Sequence, residues 1–201
     1  MNIQTVMKKV LPVFEKFKHT EHVEFELRLG KFNGTFFDTN VGEENFNRIL
    51  DGLQRYDGWE SVTEKSYEIF YSDNDNVRLT VDDDTEDQVQ VQKISMHKED
   101  FKKYKNTPFD VRVSVSKETP IEGEFIMNSK RCKKRISFLR KNLSIDMTIS
   151  TGDARDIDAE DATSFQVELE IVDPTKVENN DQLFNILYKV NDIFKLLSNN
   201  K

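Results

Sequence analysis

The chain has 201 residues, 33% of them charged and 36% hydrophobic, with 15 Phe, 7 Gly and 4 Pro; this suits one folded domain with a real core and excludes a disordered or fibrous chain. A net charge of −8 argues against a general nucleic-acid coat or a ligand of anionic membranes, while leaving room for a local basic track. The single cysteine, Cys132, precludes an internal disulfide, no Cys/His cluster offers a zinc site, and no apolar run approaches the roughly 18 to 20 residues that span a bilayer, so a soluble intracellular protein is expected.

Ile3, Val6, Val10, Phe14 and Phe17 recur at spacings near three and four, which predicts an amphipathic helix over 2–18 despite Pro12. A strand follows at 22–31 and ends in a turn region around Asn33 and Gly34. Phe46, Ile49, Leu50 and Leu53 predict a second helix over 42–56, with Glu43 and Glu44 placed favourably at its start. From Trp59 onward the pattern changes to strands at 59–72, 76–82, 87–97, 109–117, 130–140, 142–150 and 164–172. With the first strand these make eight, separated by turn or charge signals at 73–76, 82–84, 106–108, 118–120 and 152–161. Leu183, Ile186, Leu187, Val190, Ile193, Phe194 and Leu197 then mark a closing helix over 182–197. No repeat or linker divides the chain, so one domain over 1–201 is expected.

The polar faces of these strands carry the chemistry. V-E-F-E-L-R-L-G sets Glu24, Glu26 and Arg28 opposite Val23, Phe25, Leu27 and Leu29, and F-Q-V-E-L-E-I sets Gln166, Glu168 and Glu170 opposite Phe165, Val167, Leu169 and Ile171. Between them lie Arg78 and Thr80, then Arg112, Ser114 and Ser116 with Glu118 in the same phase. Arg131, Lys133, Arg135 and Ser137 follow, and then Ser144, Asp146 and Thr148. Lys93 shares the phase of Val89 and Val91, so it joins this face only through a bulge near it.

An open sheet would leave these charges in water. The strong apolar faces and the amphipathic helices available to cover them favour a mainly β (α+β) fold instead: a closed eight-stranded antiparallel barrel with flanking helices and a charged lumen. Such a lumen is costly unless its charges neutralise one another or a ligand. Carboxylates that hold a divalent cation, joined to several Arg and Lys, match a polyphosphate.

In this order and at similar spacing, V-E-F-E-L-R-L-G, V-R-L-T, Q-K-I, V-R-V-S-V-S-K-E, R-C-K-K-R-I-S-F, L-S-I-D-M-T and V-E-L-E-I resemble the tunnel-type, metal-dependent RNA 5'-triphosphatases of fungal and large-DNA-virus mRNA capping, within the triphosphate tunnel metalloenzymes. The resemblance runs from about Val23 to Ile171. It implies an eight-stranded tunnel and hydrolysis of the β–γ bond at the 5'-triphosphate end of RNA, the first step of capping. It implies Mn2+ or Mg2+ on Glu24, Glu26 and Glu170 with Glu168 beside them, and Glu118 orienting or deprotonating the attacking water. Arg78, Lys93, Arg112, Lys133 and Arg135 become the phosphate clamp, with Arg28, Arg131 and Asp146 supporting substrate. The nucleotidyl-transfer motif K-x-D-G is absent from the sequence, so a guanylyltransferase and methyltransferase would be separate domains or proteins, and the cytoplasm, nucleus or, if viral, a virion would house the reaction.

Three alternatives accompany this reading: a tunnel hydrolase of tripolyphosphate, thiamine triphosphate or NTPs; a polyphosphate-binding module without turnover; and a purely structural barrel. His19, His22 and His97 sit in polar contexts near element ends and read as surface residues, and Cys132, in the apolar phase of its strand, reads as packed. Asp73 to Asp84 lacks the Gly and terminal Glu of an EF-hand loop and reads as a solvated turn.

Overall fold

Alternation of apolar and polar side chains resolves into nine strands and three α-helices among the described residues, which in this computed structural model are 2–72, 75–102, 107–152 and 162–198. In chain order they are α1 (Ile3–Phe17), β1 (Val23–Phe32), β2 (Phe37–Asp38), α2 (Glu43–Gln54), β3 (Ser61–Ser72), β4 (Val77–Asp82), β5 (Gln88–Phe101), β6 (Asp110–Pro120), β7 (Ser129–Arg140), β8 (Leu143–Gly152), β9 (Thr163–Ile171) and α3 (Asn180–Leu197). The turns anticipated at Asp73 and Asn74, at Asn106 and across 153–161 lie outside the described residues.

The sheet runs β2-β1-β6-β5-β4-β3-β7-β8-β9, and β1 pairs again with β9. That second pairing closes eight antiparallel strands into a barrel and leaves β2 as an extra strand on β1. First and last strands are therefore neighbours: Glu26 stands opposite Glu170, and Arg28 opposite Glu168.

The barrel is inverted relative to small barrels whose interiors are packed with apolar side chains. Its core lies outside, where Phe25, Leu27 and Leu29 of β1, Val111, Val113 and Val115 of β6, and Val167, Leu169 and Ile171 of β9 meet the helices. Helix α1 contributes Ile3, Val6, Val10 and Phe14 and is capped by Asn2, whose side chain accepts from Gln4 N and Thr5 N. Pro12 is exposed, so the helix bond it forgoes lies on the wet side, where water can satisfy the freed carbonyl. From α2 come Phe46, Ile49 and Leu53, and from α3 Leu183, Leu187, Val190, Ile193, Phe194 and Leu197. Among the described residues no helix is long and apolar enough to cross a membrane.

Helices do not shield the whole circumference, and this corrects two expectations. Cys132 is exposed rather than packed, because the outer face of β7 at that point faces solvent. Lys93 reaches the lumen without a bulge: Val91 lines the same cavity, Val89 is 57% exposed, and the outward residue Ile94 is 48% exposed. The bulge falls later, between Ser95 and His97. It reverses the phase of β5, so that Asp100 turns inward opposite Arg112 while Phe101 joins the outer core.

Strand β2 has no counterpart in the sequence pattern. It pairs Phe37 with Phe32 and Asp38 with Lys31, and it crosses where an inward side chain at Gly30 would stand, since a Cβ there would collide with the Asp38 carbonyl and the Phe37 ring. Thr39 then accepts from the lumenal Gln166 at 3.2 Å. Segment 37–41 thus wedges between β1 and β9 where their pairing ends.

Candidate active site

Strands β1, β6 and β9 bring Glu24, Glu26, Glu118, Glu168 and Glu170 to one side of a lumenal cavity of about 230 Å³, and β4, β5 and β7 bring Arg78, Lys93, Lys133 and Arg135 to face them. Arg28, Tyr67, Ile69, Thr80 and Val91 complete the lining. Each charged residue arrives by alternation, its chain neighbours being turned outward.

The charges are already engaged with one another. The Lys93 ammonium donates to Glu24, lies 2.7 Å from Glu118 and 3.9 Å from Glu26. Ser116 donates to Glu24 at 2.7 Å. Arg28 bridges Glu26 at 3.1 Å and Glu168 at 2.9 Å. Arg135 is held by Thr148 at 3.0 Å, Glu168 at 3.3 Å and Asp146 at 3.4 Å. Arg78 stands 3.8 Å from Glu118.

Proton affinities divide accordingly. Burial opposes charge on Glu168, but Arg28 and Arg135 outweigh it and hold the carboxyl down at about 2. For Glu170, burial and then the charges of Glu24, Asp146 and Glu26 act together and push it up to about 8. Burial also raises Glu26, against the pull of Arg28. On Lys93 burial favours the neutral amine, yet Glu26 and Glu24 prevail and strengthen its hold on the proton.

The donor set at the acidic end fits a hard divalent cation. It offers carboxylate oxygens only, and its negative charge is dense enough to keep one carboxyl protonated near neutrality. As placed, Glu24 and Glu26 are taken by Lys93 and Arg28, and among the described residues no three His, Cys, Asp or Glu side chains are arranged to hold an ion.

Three residues anticipated as substrate contacts stand elsewhere. Arg112 is absent from the cavity lining: Asp100 accepts from its Nε at 2.7 Å and from a terminal nitrogen at 2.9 Å, and its guanidinium lies 4.5 Å from the Phe37 ring centre. Arg131 is 1% exposed and donates to the Ser150 hydroxyl at 2.7 Å and the Ser150 carbonyl at 3.1 Å, tying β7 to β8. Asp146 sits behind the lining, accepting from Ser144 at 2.6 Å beside Arg135. Glu168, expected beside the metal ligands, lines the cavity with Glu24, Glu26 and Glu170 and pairs there with Arg28 and Arg135. Sequence reading passed over Tyr67, although it alternates with Lys65 and Ile69 on the lumenal face of β3.

A family model described as mRNA capping enzyme, beta chain, matches residues 40–201. The S. pombe Pct1 RNA triphosphatase is similar in fold, with a TM-score of 0.69 at 18% identity over 94% of this chain and 87% of that one. The same enzyme in complex with the Spt5 CTD gives 0.68 at 18% identity, over 96% and 86%. No curated protein matches the chain. The family match begins after β1, and the pairing of β1 with β6 and β9 adds the first glutamate doublet to the matched region.

Proposed function

The chain belongs to the family of the mRNA capping enzyme beta chain, and we propose that its barrel removes the γ-phosphate from the 5'-triphosphate end of nascent RNA, the first step of mRNA capping. The observation that carries this reading is the facing of five glutamates and four basic side chains across a single cavity. Tunnel-type triphosphatases are metal-dependent, and here Glu24, Glu26 and Glu170 would hold Mn2+ or Mg2+, which when bound would supply Lewis-acid stabilisation of charge on the phosphoryl oxygens.

The rest of the chemistry belongs to the chain's own groups. Arg78, Lys93, Lys133 and Arg135 bind the three phosphates and stabilise charge as it develops. Glu118, already within reach of Lys93 and Arg78, orients a water in line with the γ-phosphorus and accepts its proton. The new P–O bond forms to water, the bridging P–O bond to the β-phosphate breaks, and RNA with a 5'-diphosphate leaves. Glu168 keeps its charge at neutral pH and fixes Arg28 and Arg135 in place. Guanylyl and methyl transfer are tasks for separate domains or proteins, and a counterpart of the Spt5 CTD, with which S. pombe Pct1 forms a complex, is a candidate partner.

The test is phosphate release from γ-labelled triphosphate RNA, with ATP and tripolyphosphate in parallel, for the native chain, Glu26→Ala and Glu118→Ala. Metal-dependent release from RNA that both variants lose supports the proposal. Binding of triphosphate without release from any substrate would instead make the barrel a polyphosphate-binding module.

A further inference from the structure

We infer that Tyr67 is a substrate-positioning residue of this site: its phenolic O–H donates to a phosphoryl oxygen of the bound triphosphate while its ring supports the Arg135 guanidinium. The inference rests on the triphosphatase reading and adds a neutral donor to a clamp otherwise described by its charges.

Tyr67 lies in the middle of β3, paired with Lys133 on one side and Asp82 on the other. It lines the cavity together with Lys133, Arg135 and Arg78. Its ring centre is 5.7 Å from the Arg135 guanidinium, on a residue whose three nitrogens are also engaged by Thr148, Glu168 and Asp146. The guanidinium nitrogens are thereby held by oxygen acceptors while the group lies over an aromatic ring, an arrangement that orients it.

A phosphate chain offers acceptors only, so each group that binds it must donate. Burial, with Glu168 and Asp146 adding to it against Arg135, pushes the phenol up to about 12. The hydroxyl therefore keeps its proton throughout the neutral range and can serve as neither base nor nucleophile there. A donor of this kind adds a directed bond without further positive charge in a cavity that already holds four cations and Arg28.

Substitution of the hydroxyl separates the two roles. Tyr67→Phe keeps the ring beneath Arg135, and Tyr67→Leu removes both ring and hydroxyl. Binding of inorganic tripolyphosphate to the full chain is measured by titration calorimetry in the presence of chelator, with thermal denaturation of each variant alongside. For Tyr67→Phe we expect an unchanged melting temperature and affinity lowered at least about 10-fold, the scale of a lost hydrogen bond to a charged acceptor. For Tyr67→Leu we expect a larger loss. A Tyr67→Phe variant that binds tripolyphosphate as tightly as the native chain overturns the inference and leaves the triphosphatase reading intact. Failure of the native chain itself to bind tripolyphosphate under chelator and with added Mn2+ overturns both.

Discussion

Glu170→Gln should make the metal-free protein more stable and the metal-loaded protein less so. In the folded chain burial and the charges of Glu24, Asp146 and Glu26 raise this carboxyl from 4.5 to about 8. A raised folded-state pKa means that the native state binds more protons than the unfolded chain between those two values. Stability from this group is fully present below pH 4.5, declines as pH rises, and is lost once the folded carboxyl ionises. The slope is about 1.4 kcal/mol per pH unit, so a comparison at pH 5 and pH 8 spans at most about 4 kcal/mol. Glutamine keeps the shape and removes the charge, and the variant should therefore match the native chain at pH 5 and exceed it at pH 8. At roughly 2–4 °C per kcal/mol for a chain of this length the gain is on the order of 10 °C. Trp59, packed 5.4 Å from Phe138, gives a fluorescence signal for the melt in chelator. Added Mn2+ or Mg2+ should then raise the melting temperature of the native chain more than that of the variant, because a cation needs the carboxylate that the proton occupies. Equal stabilities at pH 8 in chelator would refute the reasoning, since Glu170 would then ionise at no cost and the acidic end would have no shortage of positive charge.

Glu118→Gln should lower kcat by about 100-fold or more while preserving tripolyphosphate binding, read from phosphate release and titration calorimetry. Lys93→Met removes the cation shared by Glu24, Glu26 and Glu118; it should lower kcat/KM by about 100-fold or more and also lower the melting temperature in chelator, an effect absent from Glu118→Gln. Arg112→Ala should act as a stability variant: the loss of its two bonds to Asp100 and its contact with Phe37 should remove about 3 kcal/mol, with KM for triphosphate RNA within about twofold of native at temperatures where the variant is folded. A tenfold rise in KM at unchanged melting temperature would return Arg112 to the phosphate clamp.

Period-two alternation makes the barrel legible because the lumenal charges of β1, β4 and β9 sit between outward apolar residues, as in Val23-Glu24-Phe25-Glu26-Leu27. Two glutamate doublets some 140 residues apart on opposite ends of the chain make chemical sense only on adjacent strands, and the pairing of Glu26 with Glu170 is that adjacency. What alternation does not encode is which wall of the barrel the helices cover. Val89 and Val91 look like core residues in sequence, and it is their place on the inner face of β5, beyond helical cover, that puts Lys93 beside Glu118. Nor does alternation distinguish inward arginines by partner. Arg78 and Arg112 each sit between two apolar residues, Val77 and Leu79 in one case and Val111 and Val113 in the other, yet Arg112 meets the bulge-turned Asp100 and the β2 wedge while Arg78 faces the cavity. Strand β2 is two residues long, too short for any periodic signal, and its effect on Arg112 was therefore invisible.

An inward face made of charge is tolerable here because the fold does not rely on that face for cohesion. The apolar residues of β1, β6, β8 and β9 bury themselves outward against α1, α2 and α3, so hydrophobic stabilisation is complete without the lumen. The lumenal charges are then free to be arranged for chemistry, at the cost of desolvation that neighbouring opposite charges offset only in part. Where the offset is good, as for Glu168 between Arg28 and Arg135, the carboxyl stays ionised. Where it is poor, as for Glu170 among Glu24, Glu26 and Asp146, a proton is retained. The location of that retained proton marks the point at which the protein is short of positive charge, and a divalent cation bound there would relieve the same imbalance that Glu170→Gln removes.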